Sequence, residues 1–491
     1  MSALRLTVRW LAAAVAGRIV SGDPEQAIGN VVTDSRTLQR GDFFVALRGP
    51  RFDGHAFVVE ALGRGAIGAM VDGVGRGFTP RQAERDPSTP LGVTPSLSRG
   101  EGPPYGDAAI VEVEDTTIAL QNLAHAVREA APTKVIAITG SAGKTTTKDT
   151  IADFLSATFR VVKNKGNLNN HIGLPLSLMQ LRDRPDVAVM ELGMNHAGEI
   201  STLVAIADPD VRVWTNVGDA HLGFFASPDA IADAKAEILE HAEPGHVLVC
   251  NADDPRVMAR ARSFSGRTIT FGESEGAVVR ARDVEDRGID GMRARVTTPA
   301  GERLIETPLL GRGNLANVLA ATAVALDFGV SLDAIAARAA ALRPADRRGA
   351  VHRLRGGITL VDDSYNSSPA ALTRALDVIA KERRAARKVA VLGEMLELGE
   401  HATALHRESG RLAASAGLRL LFAVGGAPAR ALADAAIAAG MPPSSVGYFE
   451  KSELAAAAIA AAVRAGDLVL VKGSRGTRTD LIADRIAGEF S

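Results

Sequence analysis

The segment Gly140-Ser141-Ala142-Gly143-Lys144-Thr145-Thr146 combines residue types and spacing that can do chemistry. Two glycines let successive backbone N–H groups converge on phosphate oxygens, and a helix that follows adds its positive end. Lys144 would reach the β- and γ-phosphates, and the Thr145 hydroxyl would face Mg²⁺. The usual eight-residue pattern asks for glycine at position 138, where this chain has Ile138, so the loop is a shortened variant. A glycine-rich turn with a solvated lysine is the plain alternative. Against it, an apolar strand pattern, the loop and a helix pattern follow in the order that a nucleoside triphosphate site requires.

Three more side chains stand where an open α/β sheet binds its ligands, outside the carboxyl ends of the strands. Glu191 closes the apolar stretch 186–191, His221 follows the stretch 211–217, and Lys235 lies on the helical pattern 230–241. A carboxylate and an imidazole are ordinary ligands for a divalent cation beside ATP. Taken singly, His221 reads as a loop histidine and Lys235 as a solvated helix lysine. Together with the phosphate loop they read as one site.

The elements that must position these groups alternate along the chain. Segments 134–139, 186–191, 211–217 and 246–250 read as buried strands, with helical patterns at 148–157 and 230–241 between them. Apolar strands alternating with helices imply a mostly parallel sheet. A second run starts near Arg343, with strand candidates 358–362, 388–392, 418–424 and 468–471 separated by Ala-rich helices. Ahead of both lies a smaller mixed segment. It contains 73–106, where seven glycines and six prolines fall within 34 residues and a long mobile loop is expected. Segment 109–113 then resumes as a strand that could close the first domain, and a helix at 117–131 follows. The predicted fold class is α/β with three domains. These are a small mixed α/β N-terminal domain (1–115), a central P-loop parallel-sheet ATPase domain (116–341) and a C-terminal Rossmann-like α/β domain (342–491).

Composition bounds the setting. With 491 residues and a net charge of −1, the chain is long enough for about three cores and gives no electrostatic case for nucleic acid. The single cysteine, Cys250, excludes an internal disulfide framework and Cys-based zinc clusters. The longest apolar run, 454–463, is ten residues, about half a membrane span. The run at 10–16 is followed at once by Arg18 and fits an amphipathic helix better than a signal segment. A cytoplasmic monomer, not inserted in a membrane, is expected.

Taken together these motifs resemble the Mur ligase family of ATP-dependent amide-bond synthetases in peptidoglycan assembly. The resemblance covers nearly the whole chain. It is most specific in Gly166-Asn167-Leu-Asn169-Asn170-His-Ile-Gly-Leu-Pro175, Glu191-Leu-Gly-Met-Asn195-His-Ala-Gly-Glu199, Asp362-Asp363-Ser-Tyr-Asn366 and Gly393-Glu-Met-Leu-Glu-Leu-Gly399. The last two strings resemble the branch that joins D-alanyl-D-alanine to UDP-N-acetylmuramoyl-tripeptide through an acyl phosphate.

The resemblance implies roles residue by residue. Lys144, His221, Lys235 and Arg348 would be catalytic. Gly140 to Thr146, Asn314, Asn317, Arg348 and Asp363 would bind ATP, the two asparagines at adenine and Asp363 at the ribose. Thr145 and Glu191 would hold one Mg²⁺. His221 would hold a second with Lys235, carbamoylated by CO₂. Ser35, Arg36, Asp53 and His55 would serve the uridine nucleotide, and Asn167, Asn169, Asn170 and Asn366 the substrate more generally. Lys472 and Ser474 would face the incoming amine. Bland alternatives stay open: Asn314 and Asn317 as helix caps, Asp363 as the start of an Asx-turn, and Ser35-Arg36 and the 472–475 loop as solvated residues. The choice between Arg347 and Arg348 also stays open. Gly313, Glu394 and Ser367 stand where the family commonly has His, Asp and Ala.

Overall fold

The computed structural model describes residues 3–50, 52–73, 107–218 and 223–491. His221 and the segment 74–106 lie outside the described residues. The described chain separates into two compact units. One comprises residues 1–133, 164–188 and 205–208; the other comprises 134–163, 189–204 and 209–491.

The first unit is built on a mixed five-stranded sheet in the order Arg18–Ser21, Ala109–Val113, Gly68–Asp72, Phe43–Val45, Val31–Val32. Only the pair Arg18–Ser21 with Ala109–Val113 is antiparallel; the other neighbours run parallel. The strand expected at 109–113 therefore does complete this sheet. Phe44, Ala69, Val71 and Ile110 pack its core with the helix Val58–Gly63. The helix Thr116–Ala130, capped by the Asp115 carboxylate on the N–H groups of Thr117 and Ile118, belongs to the same unit.

In the second unit a nine-stranded sheet is ordered Gly301–Thr307, Met292–Thr298, Val279–Asp286, Arg267–Gly272, Val247–Asn251, Val211–Trp214, Lys134–Thr139, Val187–Glu191, Val161–Lys163. The run from Val279–Asp286 to Lys134–Thr139 is parallel, as the continuous apolar strands require. Val135, Ala137 and Val213 are fully buried. Beyond Val279–Asp286 the sheet turns into an antiparallel meander that the sequence reading did not resolve. There Met292–Thr298 alternates buried with more exposed residues and Gly301–Thr307 is mostly exposed, so no solid apolar run marks them.

A six-stranded sheet in the same unit is ordered Ala350–Arg353, Thr359–Asp363, Asp467–Lys472, Arg387–Gly393, Leu420–Val424, Val446–Phe449. All neighbours are parallel except the first pair. The strand Asp467–Lys472 sits between strands from earlier in the chain, so the strand order reverses around it. That reversal opens a crevice at the strands' carboxyl ends, where Asp363, Gly393 and Lys472 lie. The helix Ala402–Ser415 and its neighbours pack one apolar face of this sheet, and the helices Ser452–Ala462 and Asp480–Glu489 pack the other.

Candidate active site

The phosphate loop takes its shape from two glycines with positive φ. A Cβ on Gly140 (φ +149°) would come within 1.9 Å of Thr215 Oγ1. One on Gly143 (φ +84°) would come within 2.2 Å of Asn317 Oδ1. No other residue fits either place. Gly143 is the N-cap of the helix Lys144–Leu155, so the loop runs straight into a helix N-terminus. Asn216, at the end of the neighbouring strand, fixes the turn. Its amide accepts from Ala142 N at 2.9 Å and donates to Ala142 O at 3.0 Å, and its carbonyl accepts from Ser141 N at 3.0 Å.

Lys144 is half-buried and donates to its own loop at Gly140 O, 2.7 Å away. Burial pushes its pKa down, Glu191 opposes that shift, and Arg348 adds to it. Thr145 Oγ1 donates to Glu191 Oε2 at 2.8 Å, and Lys148 Nζ lies 3.7 Å from the same oxygen. Lys148 was not singled out from the sequence, although it follows Lys144 by one helical turn and so shares its face. A hydroxyl and a carboxylate side by side at the phosphate loop are the oxygen donors that a hard divalent cation prefers. Among the described residues no three His, Cys, Asp or Glu side chains gather into a metal cluster. A cation here would draw on Thr145 and Glu191.

Lys235 is 1% exposed and makes no hydrogen bond or ion pair with a described residue. Desolvation, reinforced by the charge of Lys144, lowers its pKa well below the usual lysine value. Its helix, Pro228–Ala236, starts on the Ser227 cap with proline at the first position. The far end is anchored by fully buried Arg212, which donates to Ile238 O at 2.9 Å and to Pro209 O at 2.6 Å.

A cavity of about 420 Å³ brings together Ser141, Gly143, Asn216, Asn314, Asn317, Arg348, Asp363, Asn366 and Lys472. Asn314 and Asn317 lie inside the helix Gly311–Asp327 and do not cap it. Asn314 Nδ2 donates to Leu310 O, and Asn317 joins Asn314 Oδ1 at 3.1 Å and Thr147 Oγ1 at 3.2 Å. In the Asp362-Asp363 pair the Asx-turn belongs to Asp362, which accepts from Ser364 N and Oγ. Asp363 is thereby left to the cavity. The two adjacent arginines also separate. Arg347 turns to Asp484, Asp480 and Asp362, whereas Arg348, which lines the cavity, stacks 4.0 Å over the Tyr365 ring.

The loop ends of the C-terminal sheet are tied to one another. Lys472 Nζ donates to Asp363 Oδ2 at 2.6 Å and to Asn366 O at 3.0 Å. Ser474 Oγ accepts from Leu396 N at 3.0 Å and donates to Ser367 O at 3.4 Å. Both side chains are buried and so are not solvated loop residues, whereas Arg475 beside them is exposed. Glu394 Oε2 accepts from Gly426 N at 2.6 Å, which explains a carboxylate at that position. Ser367 Oγ, in contrast, is buried without a hydrogen-bond partner on the cavity wall.

The remaining expected residues fall in the first unit. Arg36 is exposed and paired with Asp34, whose carboxyl it holds at a pKa of about 2; Ser35 beside it is buried. His55 is buried, with Nδ1 at 2.6 Å from Asp53 Oδ1 and Nε2 accepting from Asp72 N at 3.0 Å. Both ring nitrogens are thus engaged in holding that corner together. Asn170 Oδ1 accepts from Gly173 N at 2.8 Å ahead of the helix Gly173–Leu178, while Asn167 is exposed and Asn169 half-buried.

A phosphate loop over one sheet and a crevice at a second define a nucleotide-dependent architecture of two sheets. Residues 138–325 match the Mur ligase middle domain, and residues 347–475 match the domain described as Mur ligase, glutamate ligase domain. The chain belongs to the Mur ligase family. The UDP-N-acetylmuramoyl-tripeptide–D-alanyl-D-alanine ligase of Bacillus subtilis (strain 168) is 33% identical over 490 residues, covering 99% of this chain and 100% of its own. A crystal structure of MurF from Acinetobacter baumannii superposes with a TM-score of 0.84 at 31% identity, covering 99% of this chain and 100% of that one. MurF ligase from Thermotoga maritima, solved in complex with ADP, gives a TM-score of 0.76 at 28% identity over 94% and 97% of the two chains.

Proposed function

We infer that this chain is an ATP-dependent ligase that joins D-alanyl-D-alanine to UDP-N-acetylmuramoyl-tripeptide, giving the pentapeptide precursor of peptidoglycan. The observation that carries the reading is the full-length similarity to ligases of that name, together with the phosphate loop and the C-terminal crevice lining one cavity.

The tripeptide's terminal carboxylate attacks the γ-phosphorus of ATP, ADP leaves, and an acyl phosphate forms. The dipeptide amine then attacks the acyl carbon, gives up a proton, and phosphate carries that proton away as the amide closes. Bringing a carboxylate to a triphosphate sets two anions together. Lys144, the loop N–H groups and Arg348 place fixed positive charge where that repulsion develops. A Mg²⁺ ion held by Thr145 and Glu191 would add charge on the phosphate oxygens. Asp363 and Asn314 would hold the ribose and adenine, and Asn366, Lys472 and Ser474 would form the amine side. Ser35, Arg36, Asp53, His55, Asn167, Asn169 and Asn170 would serve the UDP-linked substrate.

Lys235 is proposed to carry a carbamate, formed when its neutral amine adds CO₂ and releases a proton. The support is its burial, the lack of a described partner and its lowered pKa. As an anion it would join His221 in holding a second Mg²⁺. Three domains, with boundaries near 115 and 341, and a single cytoplasmic chain acting on small molecules complete the reading. No described helix is long and apolar enough to cross a membrane.

A panel of amines decides the reaction. Phosphate release from ATP and UDP-N-acetylmuramoyl-tripeptide should be fast with D-alanyl-D-alanine and slow with D-alanine, D-glutamate or L-lysine. Equal turnover with a single amino acid would assign the chain to another branch of the family.

A further inference from the structure

Arg374, on the helix Pro369–Lys381, lines the nucleotide cavity, and the reaction described above does not use it. It makes no hydrogen bond or ion pair with a described residue. The carboxylate that acts on it, Asp363, is already bonded to Lys472. The arginine lies along Gly313. A Cβ on that glycine would meet Arg374 Cδ and Nε at 3.2 Å and Cζ at 4.0 Å.

Gly313 is inside the helix Gly311–Asp327 and is not among the positive-φ glycines. Its backbone does not call for glycine, and glycine weakens a helix relative to alanine. What it provides is room for the flat side of Arg374. Around them Leu310, Ala375 and Val378 give the cavity an apolar wall, and Asn314 adds one amide. Arg348 is the arginine whose charge reaches Lys144 at the phosphate loop, whereas Arg374 is coupled to Asp363 instead. A planar cation beside an apolar wall suits the face of a π-rich ring.

We propose that Arg374 binds the nucleotide by stacking its guanidinium on the base, with Gly313 as the gap that lets it lie flat. This rests on the reading that the cavity takes ATP. The test is displacement of a fluorescent ADP from the full-length chain by ADP, adenosine and inorganic tripolyphosphate. Arg374→Lys keeps the charge and loses the plane. It should weaken ADP and adenosine by the same factor, about three- to thirtyfold, and leave tripolyphosphate within about twofold. Gly313→Leu, which crowds the arginine, should reproduce that pattern, and the double variant should add little to either. KM for ATP should rise with kcat nearly unchanged. A loss confined to ADP and tripolyphosphate, or no loss with any probe, overturns the proposal. Failure of the unaltered chain to bind ADP is a separate result, which overturns the nucleotide reading and this proposal with it.

Discussion

Asp363 and Lys472 are register partners at the carboxyl ends of neighbouring parallel strands, and their side chains close a carboxylate–ammonium bond of 2.6 Å on the cavity wall. Lys472 is 3% exposed, so its charge is balanced by this one carboxylate and the carbonyl of Asn366. The pair links the residue assigned to the ribose with the residue assigned to the amine side.

Lys472→Met should therefore do more than remove an amine contact. It frees Asp363 to rotate and leaves it without its cation. We expect kcat/KM for ligation to fall by about 100-fold or more, which matches the roughly 3 kcal/mol typical of a lost charge-assisted contact. Urea unfolding should show a stability loss of about 2 kcal/mol. Unchanged kinetics would mean the pair is only structural.

Arg347 and Arg348 should separate cleanly. Arg348→Ala should cut ligation severely with little effect on melting, because its guanidinium faces the cavity and its contact is the Tyr365 ring. Arg347→Ala should leave kcat near normal and cost about 1 kcal/mol, since it links Asp484, Asp480 and Asp362 at a partly exposed surface. Thermal melts and steady-state kinetics on the two variants check this.

For Lys235, stability and activity should move in opposite directions. A buried amine with no described partner weakens the fold, so Lys235→Met should raise the melting temperature by a few degrees. Ligation should nearly vanish in that variant and equally in Lys235→Arg, which cannot form a carbamate. Near-normal turnover of Lys235→Arg would remove the carbamate from the mechanism.

The parallel strands and the phosphate loop were legible in the sequence because full burial writes itself as unbroken apolar runs, and glycine marks the turns. The meander 279–307 was not, since half of its residues face outward and its alternation resembles ordinary polar sequence. The glycines at 140 and 143 announced their role by spacing. Lys148, Arg212, Asn216 and Arg374 did not, because their meaning depends on what the fold sets beside them. Arg347 and Arg348 are chemically identical neighbours, and only the folded chain, with a left-handed turn at Arg347 (φ +56°), shows that Arg348 lines the cavity. His55 shows the converse. Its motif is plain in sequence, yet both ring nitrogens are engaged by Asp53 and Asp72.

A pH dependence follows from His406, which is fully buried beside the loop 393–399. Its Nε2 accepts from Met395 N at 2.9 Å and its Nδ1 faces Ala402 O at 2.7 Å, an arrangement that requires the neutral ring. Burial pushes its pKa below 6.5, with the Ala402 carbonyl and Glu394 pulling the other way. Between the folded value and 6.5 the unfolded chain binds the extra proton, so stability drops as pH falls through that window. Below the folded value the loss levels off. Urea melts at pH 7.5 and 5.0 should show an acid-side loss in the wild type that is smaller in His406→Gln. Equal losses in both proteins would place the acid sensitivity elsewhere.

The most direct measurement is the mass of the product. The chain, ATP, Mg²⁺, UDP-N-acetylmuramoyl-tripeptide and an equimolar mixture of D-alanyl-D-alanine, D-alanine, D-glutamate and L-lysine are incubated together and the nucleotide-sugar pool is weighed. The account predicts a single new species, heavier than the tripeptide by one D-alanyl-D-alanine less water, with one ADP formed per amide. A product carrying a single amino acid, or ADP formed with no amide at all, would contradict it.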